Sequence, residues 1–166
     1  MDEKEDFAYF SSPLGLMTIT AQEDALTGLW FTRDDEIKNT EARSEILDEV
    51  KRWLEMYFAG ECPDFTPKLR FSGTKFRETV WDILTEIPYG KTRSYGDIAR
   101  EAAKRMGKAR MSAQAAGGAV GHNPICLIIP CHRVIGADGS LTGYAEGLWR
   151  KEALLKLEGI IHGKAF

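Results

Sequence analysis

The sequence has few residues that could form cross-links or bind a metal. It contains three cysteines, Cys62, Cys126 and Cys131, and no histidine before His122. An odd number of unevenly spaced cysteines does not indicate a disulfide framework. Structural zinc sites need clustered cysteine and histidine ligands, which are missing here. We therefore expect no metal and no other cofactor.

Long apolar runs are also missing. No run approaches the roughly 20 apolar residues needed to cross a membrane. The first six residues are mostly charged and lack the apolar core of a signal peptide. Free thiols suit a reducing compartment. We therefore expect a cytoplasmic monomer that has no membrane partner.

Charge of either sign shows little excess overall, but its distribution is uneven. The net charge is −3, yet residues 1–64 hold 16 acidic and 6 basic side chains, whereas residues 65–166 hold 9 and 16. Seven of the basic residues lie between Gly90 and Arg110. A local basic face of this kind is what phosphate contact needs, although charge alone favours a solvated helix face.

The first part of the chain reads as a small β-sheet with one helix. Short strands are predicted at 7–10, 14–21 and 28–31, separated by turn residues. From Ser44 to Phe58, apolar residues recur at three- and four-residue intervals, which predicts an amphipathic helix that ends near Gly60. No residue of this half has a catalytic signature. We interpret residues 1–72 as a support subdomain.

Residues 73–166 read as a mostly helical domain, which makes the fold class α/β, of the α+β kind. Helices are predicted from Thr74 to about Ile87, from Ser94 to about Met106, from about 112 to 120, and over 148–157. The third helix contains Gly117 and Gly118, and each glycine costs about 1 kcal/mol relative to alanine. A basic helix followed by a bare one indicates a helix-turn-helix, with a tight helix–helix contact as the alternative.

A nucleophile is predicted at Cys131. The apolar run of residues 125–129 reads as a buried strand that ends at Pro130, and Cys131 follows directly. Cys126 and Cys62 read as inert thiols. His132 lies beside Cys131, and Glu158 could orient a histidine, which is the arrangement of an activated thiol.

These residues resemble one family closely. The sequence Ile-Pro-Cys-His-Arg-Val, with Asn123-Pro124 upstream and Gly143-Tyr144 downstream, is similar to that of the O6-alkylguanine-DNA alkyltransferases. The resemblance extends from about Gly73 to Gly159. It implies single-turnover DNA repair, in which an alkyl group moves from O6-alkylguanine in double-stranded DNA to Cys131. Activity on O4-alkylthymine stays open.

The resemblance also implies roles for individual residues. Cys131 would be nucleophile and alkyl acceptor, His132 would activate it through a water, and Glu158 would hold His132. Asn123 would tie the recognition helix to the active-site turn, Tyr95 would help to turn out the nucleotide, and Lys151 would lie near the active-site loop. The implied substrate pocket consists of Tyr95, Leu141, Tyr144, Ala145 and Glu146. The implied DNA-binding residues, facing the minor groove, are Ser94, Tyr95, Gly96, Ala113, Gln114, Ala115 and Gly117.

Three positions depart from the pattern of the family. Gln114 replaces an arginine that fills the gap left by the flipped base, so we expect weaker or more salt-sensitive DNA binding, and Gln114→Arg should tighten it. Glu146 occupies a position that is often glycine, which could narrow the pocket for bulky adducts. Ala145 replaces a hydroxyl residue and leaves only backbone donors for the O6 atom.

Two other interpretations remain open at this point. A non-catalytic protein that only binds alkylated DNA would look similar, but such relatives lack the acceptor cysteine. A cysteine hydrolase could use Cys131 and His132, but it would have no role for a helix-turn-helix or a basic face. A mass shift on Cys131 without turnover would distinguish the alkyltransferase from both.

Overall fold

The computed structural model describes residues 4–33, 36–37 and 40–166, and the chain divides into two compact units. One unit comprises the residues up to Phe71 together with Phe166, and the other comprises Ser72–Ala165. None of the helices in the described ranges is long and apolar enough to cross a membrane.

The N-terminal unit is built on a three-stranded antiparallel sheet. Strands β1 (Asp6–Ser12), β2 (Gly15–Gln22) and β3 (Ala25–Phe31) lie in the order β1-β2-β3 and are joined by short turns. β2 is the central strand, and most residues of β2 and β3 are buried, whereas β1 is mostly half-buried. All three predicted strands are confirmed; β1 and β3 are longer than predicted, and β2 is shifted by one residue.

Helix α1 (Glu45–Phe58) covers this sheet. The Ser44 hydroxyl accepts a hydrogen bond from the Leu47 amide and so caps the first turn. The predicted apolar stripe is buried, and within it the rings of Trp53 and Tyr57 stack with their centroids 5.2 Å apart. The chain leaves the helix through Gly60, whose φ of +86° favours glycine.

The C-terminal unit is mostly helical, as predicted. It contains α2 (Lys75–Thr85), α3 (Tyr95–Arg105), α4 (Ala113–Gly121) and α5 (Leu148–Leu157). Two short parallel strands, β4 (Arg93–Ser94) and β5 (Val134–Ile135), pair with each other. α2 packs against both α3 and α4.

α3 and α4 pack against each other and begin at side-chain caps. Ser94 and Asp97 form a reciprocal capping box at the start of α3, and the Ser112 hydroxyl accepts from the Ala115 amide at the start of α4. The predicted helix starts are therefore confirmed to within a residue. The pair agrees with the helix-turn-helix that the sequence predicts.

The predicted strand at residues 125–129 is wrong. The chain there forms consecutive tight turns, in which the Ile129 amide donates to the Ile125 carbonyl and the Ile128 amide donates to the Cys126 carbonyl. Leu127 has a φ of +69°, which an extended strand does not allow. All five side chains are buried, and burial on every side removes the alternation that distinguishes a strand from a compact turn.

Candidate active site

The C-terminal unit contains a cavity of about 640 Å³, here called the reaction cavity. It is bounded by the start of α3, one face of α4, the turn that carries Cys131, and the loop before α5. Its walls are formed by Tyr95, Ala113, Gln114, Gly117, Val120, Gly121, Cys131, Thr142, Gly143, Tyr144 and Ala145. The structure thus brings together seven residues that the sequence analysis selected.

Nine selected residues lie outside the wall of this cavity, and five of them belong to the segments that form it. Leu141 and Glu146 flank the segment 142–145 that lines it. Ser94 caps α3, and Gly96 lies one residue beyond Tyr95. Ala115 is two residues from both Ala113 and Gly117, and a helical residue at that spacing points to a different face.

Asn123 fixes the turn that carries Cys131. Its Nδ2 donates to the Ile129 carbonyl at 2.7 Å, and its Oδ1 accepts from the Ile125 amide at 2.9 Å. These two bonds bracket the buried turns between α4 and Cys131. Cys131 then begins a short 3₁₀ helix, Cys131–Arg133, that leads into β5.

The Cys131 thiol is protonated at neutral pH in this environment. It is 7% exposed. Burial raises the pKa of Cys131 to about 11, although a hydrogen bond with Asn123 and the positive charge of Lys151 oppose this rise. Because the thiolate is the nucleophilic form, reaction requires a base that takes the thiol proton.

His132, which follows Cys131 in the chain, forms a buried pair with Glu158. The His132 Nε2 lies 2.5 Å from the Glu158 Oε2, and neither side chain is exposed. Burial lowers the pKa of His132 despite the nearby carboxylate, so the imidazole is neutral at neutral pH. A neutral imidazole whose orientation is fixed by a carboxylate can accept a proton.

Arg133 completes the buried charge cluster. Its Nε donates to the Glu158 Oε1 at 2.8 Å, and its Nη1 donates to the Ile87 carbonyl at 2.7 Å. Burial alone would raise the pKa of Glu158, but hydrogen bonds from His132 and Arg133 and the positive charge of Arg133 lower it to about 2. The Gly90 amide donates to the same carboxylate at 3.0 Å. Glu158 is therefore ionised and firmly held.

Lys151 and Tyr95 both bind the carbonyl groups of residues 142–143, which line the reaction cavity. The buried Lys151 Nζ donates to the carbonyls of Val134, Thr142 and Gly143 at 2.6, 3.2 and 3.3 Å. The Tyr95 hydroxyl donates to the same Thr142 carbonyl at 2.8 Å. Burial lowers the pKa of Lys151 to about 8 and raises the pKa of Tyr95. Two distant parts of the chain thus bind one loop segment.

Sequence reasoning missed some residues of this site. Val120 and Gly121 follow Gly117 by three and four positions, so helical spacing would have placed them on the same face. Arg133 also belongs to the site, although the sequence analysis assigned it no role. A cation next to a buried histidine needs a carboxylate partner, and that requirement is the signal that could have linked it to Glu158.

The described part of the chain contains no group of three or more histidine, cysteine, aspartate or glutamate side chains placed to hold a metal ion.

Two family models match the chain. Residues 75–160 match the DNA binding domain of 6-O-methylguanine DNA methyltransferase, and residues 7–71 match its ribonuclease-like domain. Together the two matches cover most of the chain.

Similar proteins and structures support the same family. A methylated-DNA–protein-cysteine methyltransferase of Methanosarcina acetivorans is 46% identical, covering 92% of this chain and 97% of that protein. One of Mycobacterium tuberculosis is 44% identical, covering 89% and 88%. The crystal structure of Mycobacterium tuberculosis OGT in complex with DNA has a TM-score of 0.78 at 42% identity, covering 92% and 91%. The chain belongs to the 6-O-methylguanine DNA methyltransferase family.

Proposed function

We propose that this protein repairs DNA by direct reversal, moving an alkyl group from the O6 atom of guanine in double-stranded DNA to its own Cys131. The observation that carries this proposal is the position of Cys131 in the wall of an open cavity, with the buried His132–Glu158 pair behind it. A second thiol in the same turn, Cys126, is buried and does not line the cavity.

The proposed transfer is a displacement at the alkyl carbon. The neutral His132 takes the thiol proton through a water, and the Cys131 sulfur attacks the alkyl carbon in line with the bond to O6. The C–S bond forms as the C–O bond breaks, and the electron pair of that bond remains on guanine. The proton lost by the thiol is balanced by the proton that guanine gains, so no co-reactant is needed.

The proposed role of Tyr95 is to pass a proton to the leaving guanine, and Tyr95 then regains the proton that His132 took from the thiol. Its hydroxyl points into the loop carbonyls at the cavity wall, and burial keeps it protonated by raising its pKa. The thioether formed on Cys131 is stable, so each molecule acts once. Glu158 keeps the imidazole of His132 in place, and Arg133 keeps Glu158 ionised.

The alkylated base has to leave the duplex to reach Cys131, because its O6 atom lies inside the stack. We assign this step to the exposed face of α4. Ala113, Gln114 and Gly117 line the cavity there, and small side chains allow close approach to the minor groove. Residues 73–166 would then bind DNA and accept the alkyl group, and residues 1–72 would support the fold of a monomer.

The loop before α5 carries the two pocket residues that depart from the family pattern, Ala145 and Glu146. Ala145 lines the cavity and has no hydroxyl, so the O6 atom would meet backbone donors only. Glu146 lies just outside the wall, and its charge opposes ionisation of Cys131.

Mass spectrometry of the protein mixed with a duplex that contains O6-methylguanine tests the proposal. We expect one added methyl group per protein, located on Cys131, and no further turnover. Cys131→Ala should abolish the transfer while it keeps DNA binding. Cys126→Ala is the matched control, because it removes a buried thiol from the same turn and should leave transfer unchanged.

The other outcomes each exclude the proposal. A duplex that binds without a mass change would identify a lesion-binding protein with a silent thiol. A protein that neither binds the duplex nor gains mass would favour hydrolase chemistry at Cys131.

A further inference from the structure

A second concave surface lies at the C-terminal end of α3. It has a volume of about 240 Å³ and is lined by Arg100, Ala103, Lys104, Lys108, Ala109, Arg110 and Met111. We call it the basic concavity. Four of these seven side chains are cationic, and none is acidic. The transfer proposed at Cys131 does not use these residues.

Ion pairing separates the two flanks of α3. Arg105 lies outside the basic concavity and is bound to Glu86 and Glu101 at 2.6 and 3.0 Å. Within the concavity, Arg100 is bound to Asp97. In the described residues no carboxylate lies within 4.0 Å of the cationic groups of Lys104, Lys108 or Arg110.

Lys104 lies on the last turn of α3, and Lys108 and Arg110 follow the turn that closes this helix. α3 ends at Met106, Gly107 takes a φ of +67°, and the Lys108 amide donates back to the Ala103 carbonyl at 2.9 Å. This closure is a common way for a helix to end at glycine. Like charges on either side of this turn repel each other, and an anion bound between them would remove that repulsion.

The basic concavity adjoins the reaction cavity. Met111 lines the first and Ala113 lines the second, so only Ser112, the cap of α4, separates them along the chain. A duplex whose alkylated base enters the reaction cavity therefore brings its backbone close to Lys108 and Arg110. Phosphate contacts from lysine and arginine fix the register of a protein on DNA without reading its sequence.

We propose that the basic concavity binds the phosphate backbone of the DNA duplex, with Lys104, Lys108 and Arg110 as the contacting residues. The proposal rests on the proposed function, because it names a second contact with the same substrate. It also supplies positive charge beside α4, where Gln114 carries none. These residues would set the affinity and the salt dependence of binding, and Cys131 would carry out the transfer.

The test compares a triple variant, Lys104→Gln, Lys108→Gln and Arg110→Gln, with the wild-type chain. Fluorescence anisotropy gives the Kd for a duplex with one O6-methylguanine over a range of salt concentrations. Each lost phosphate contact lowers the slope of log K against log salt by about 0.9. We expect the slope to fall by about 2 to 3 and the affinity at low salt to fall at least about tenfold.

A matched control removes the same charge elsewhere. Arg43, Lys51 and Arg52 belong to the N-terminal unit, and their replacement by glutamine lowers the net charge by the same amount. This control should keep the wild-type slope. An unchanged slope in the first variant, or an equal loss in the control, would overturn the proposal.

The rate of methyl transfer at saturating DNA separates this proposal from the proposed function. The triple variant should transfer methyl to Cys131 at the wild-type rate once DNA is saturating, because none of the three residues lines the reaction cavity. If the wild-type chain transfers no methyl group, the proposed function fails, whereas the salt slopes still decide whether the basic concavity binds DNA. A slower rate at saturation would place these residues in the reaction itself and would contradict a role confined to the backbone.

Discussion

The interiors of the two units differ in kind. In the N-terminal unit, the buried polar side chains among the described residues are Thr18 and Thr20, and the rest of the core is apolar. The buried polar residues of the C-terminal unit are all ionisable: His132, Arg133, Lys151 and Glu158. Burying charge costs free energy unless every group is paired. The buried groups with the largest desolvation cost are therefore concentrated near Cys131.

The largest effect should come from removing the carboxylate that pairs the buried charges. Glu158→Ala leaves Arg133 and His132 without their common partner, and breaking a buried pair in this way costs about 3–5 kcal/mol. Denaturant unfolding should measure that loss. The control is Glu152→Gln, whose carboxylate pairs with Lys156 on the surface of α5 and is half exposed, and a change within about 0.5 kcal/mol is expected.

The same carboxylate should make stability depend on acid pH. The pKa of Glu158 is about 2 in the folded chain, below its ordinary 4.5, so the folded state favours the ionised form. Its contribution is complete above about pH 4.5 and is lost as the pH falls toward 2. Unfolding free energies measured across this range should lose part of their slope in Glu158→Gln. A variant with the full wild-type slope would show that other carboxylates carry the effect.

Lys151→Met should have the next largest effect on stability. It removes the donor to the carbonyls of Val134, Thr142 and Gly143, and buried acceptors left without a donor cost about 1–3 kcal/mol. Thermal unfolding measures this loss. Lys156→Met removes a lysine of the same helix whose ammonium pairs only with Glu152, and it should change stability by about 0.5 kcal/mol or less.

Substitutions at the adjacent glycines Gly117 and Gly118 of α4 should have similar effects on helix stability but different effects on DNA affinity. Gly117→Ala and Gly118→Ala should each stabilise the helix by up to about 1 kcal/mol. A Cβ at Gly117 meets the Tyr95 ring at an ordinary 3.6 Å, and at Gly118 it meets open space. Only Gly117 lines the reaction cavity. We expect only Gly117→Ala to weaken binding of alkylated DNA, by about tenfold or 1.4 kcal/mol. Equal affinities of the two variants would contradict the assignment of this face to DNA.

The smallest effect is expected in the N-terminal unit. The Thr20 hydroxyl lies 3.0 Å from that of Thr27, which also donates to Glu5. Thr20→Val keeps the shape of the side chain and leaves Thr27 its second partner, so the free energy of unfolding should change by less than about 1 kcal/mol. A loss as large as that of Lys151→Met would remove the contrast between the two interiors.

Local signals in the sequence predicted much of the fold. Ser44, Ser94 and Ser112 cap helices in the structure, and the stripe of α1 is buried, because these features depend on residues within a few positions of one another. Contacts between residues far apart in the sequence could not be predicted in this way. No spacing rule links Arg133 to Glu158, or Tyr95 to the carbonyl of Thr142, since each pair meets only through the tertiary fold.

The error at residues 125–129 has a different physical origin. An apolar run that is buried on every side has no period, so it fits a strand and a set of compact turns equally well. The two hydrogen bonds of Asn123 to this segment decide between the two structures. The asparagine was selected for a tie between helix and active-site turn, and the same contacts explain why no strand forms there.

The burial of Cys131 also bears on how long the protein keeps its activity in a cell. With a pKa of about 11, only about one thiol in 10,000 is ionised at pH 7. Peroxides and disulfides react with exposed thiolates, and the exposed thiol among the three is Cys62. A protein that acts once is inactivated by any side reaction at its acceptor sulfur. Although Cys131 lines an open cavity, its protonated state would slow oxidation of that sulfur before the proposed reaction with an alkylated base.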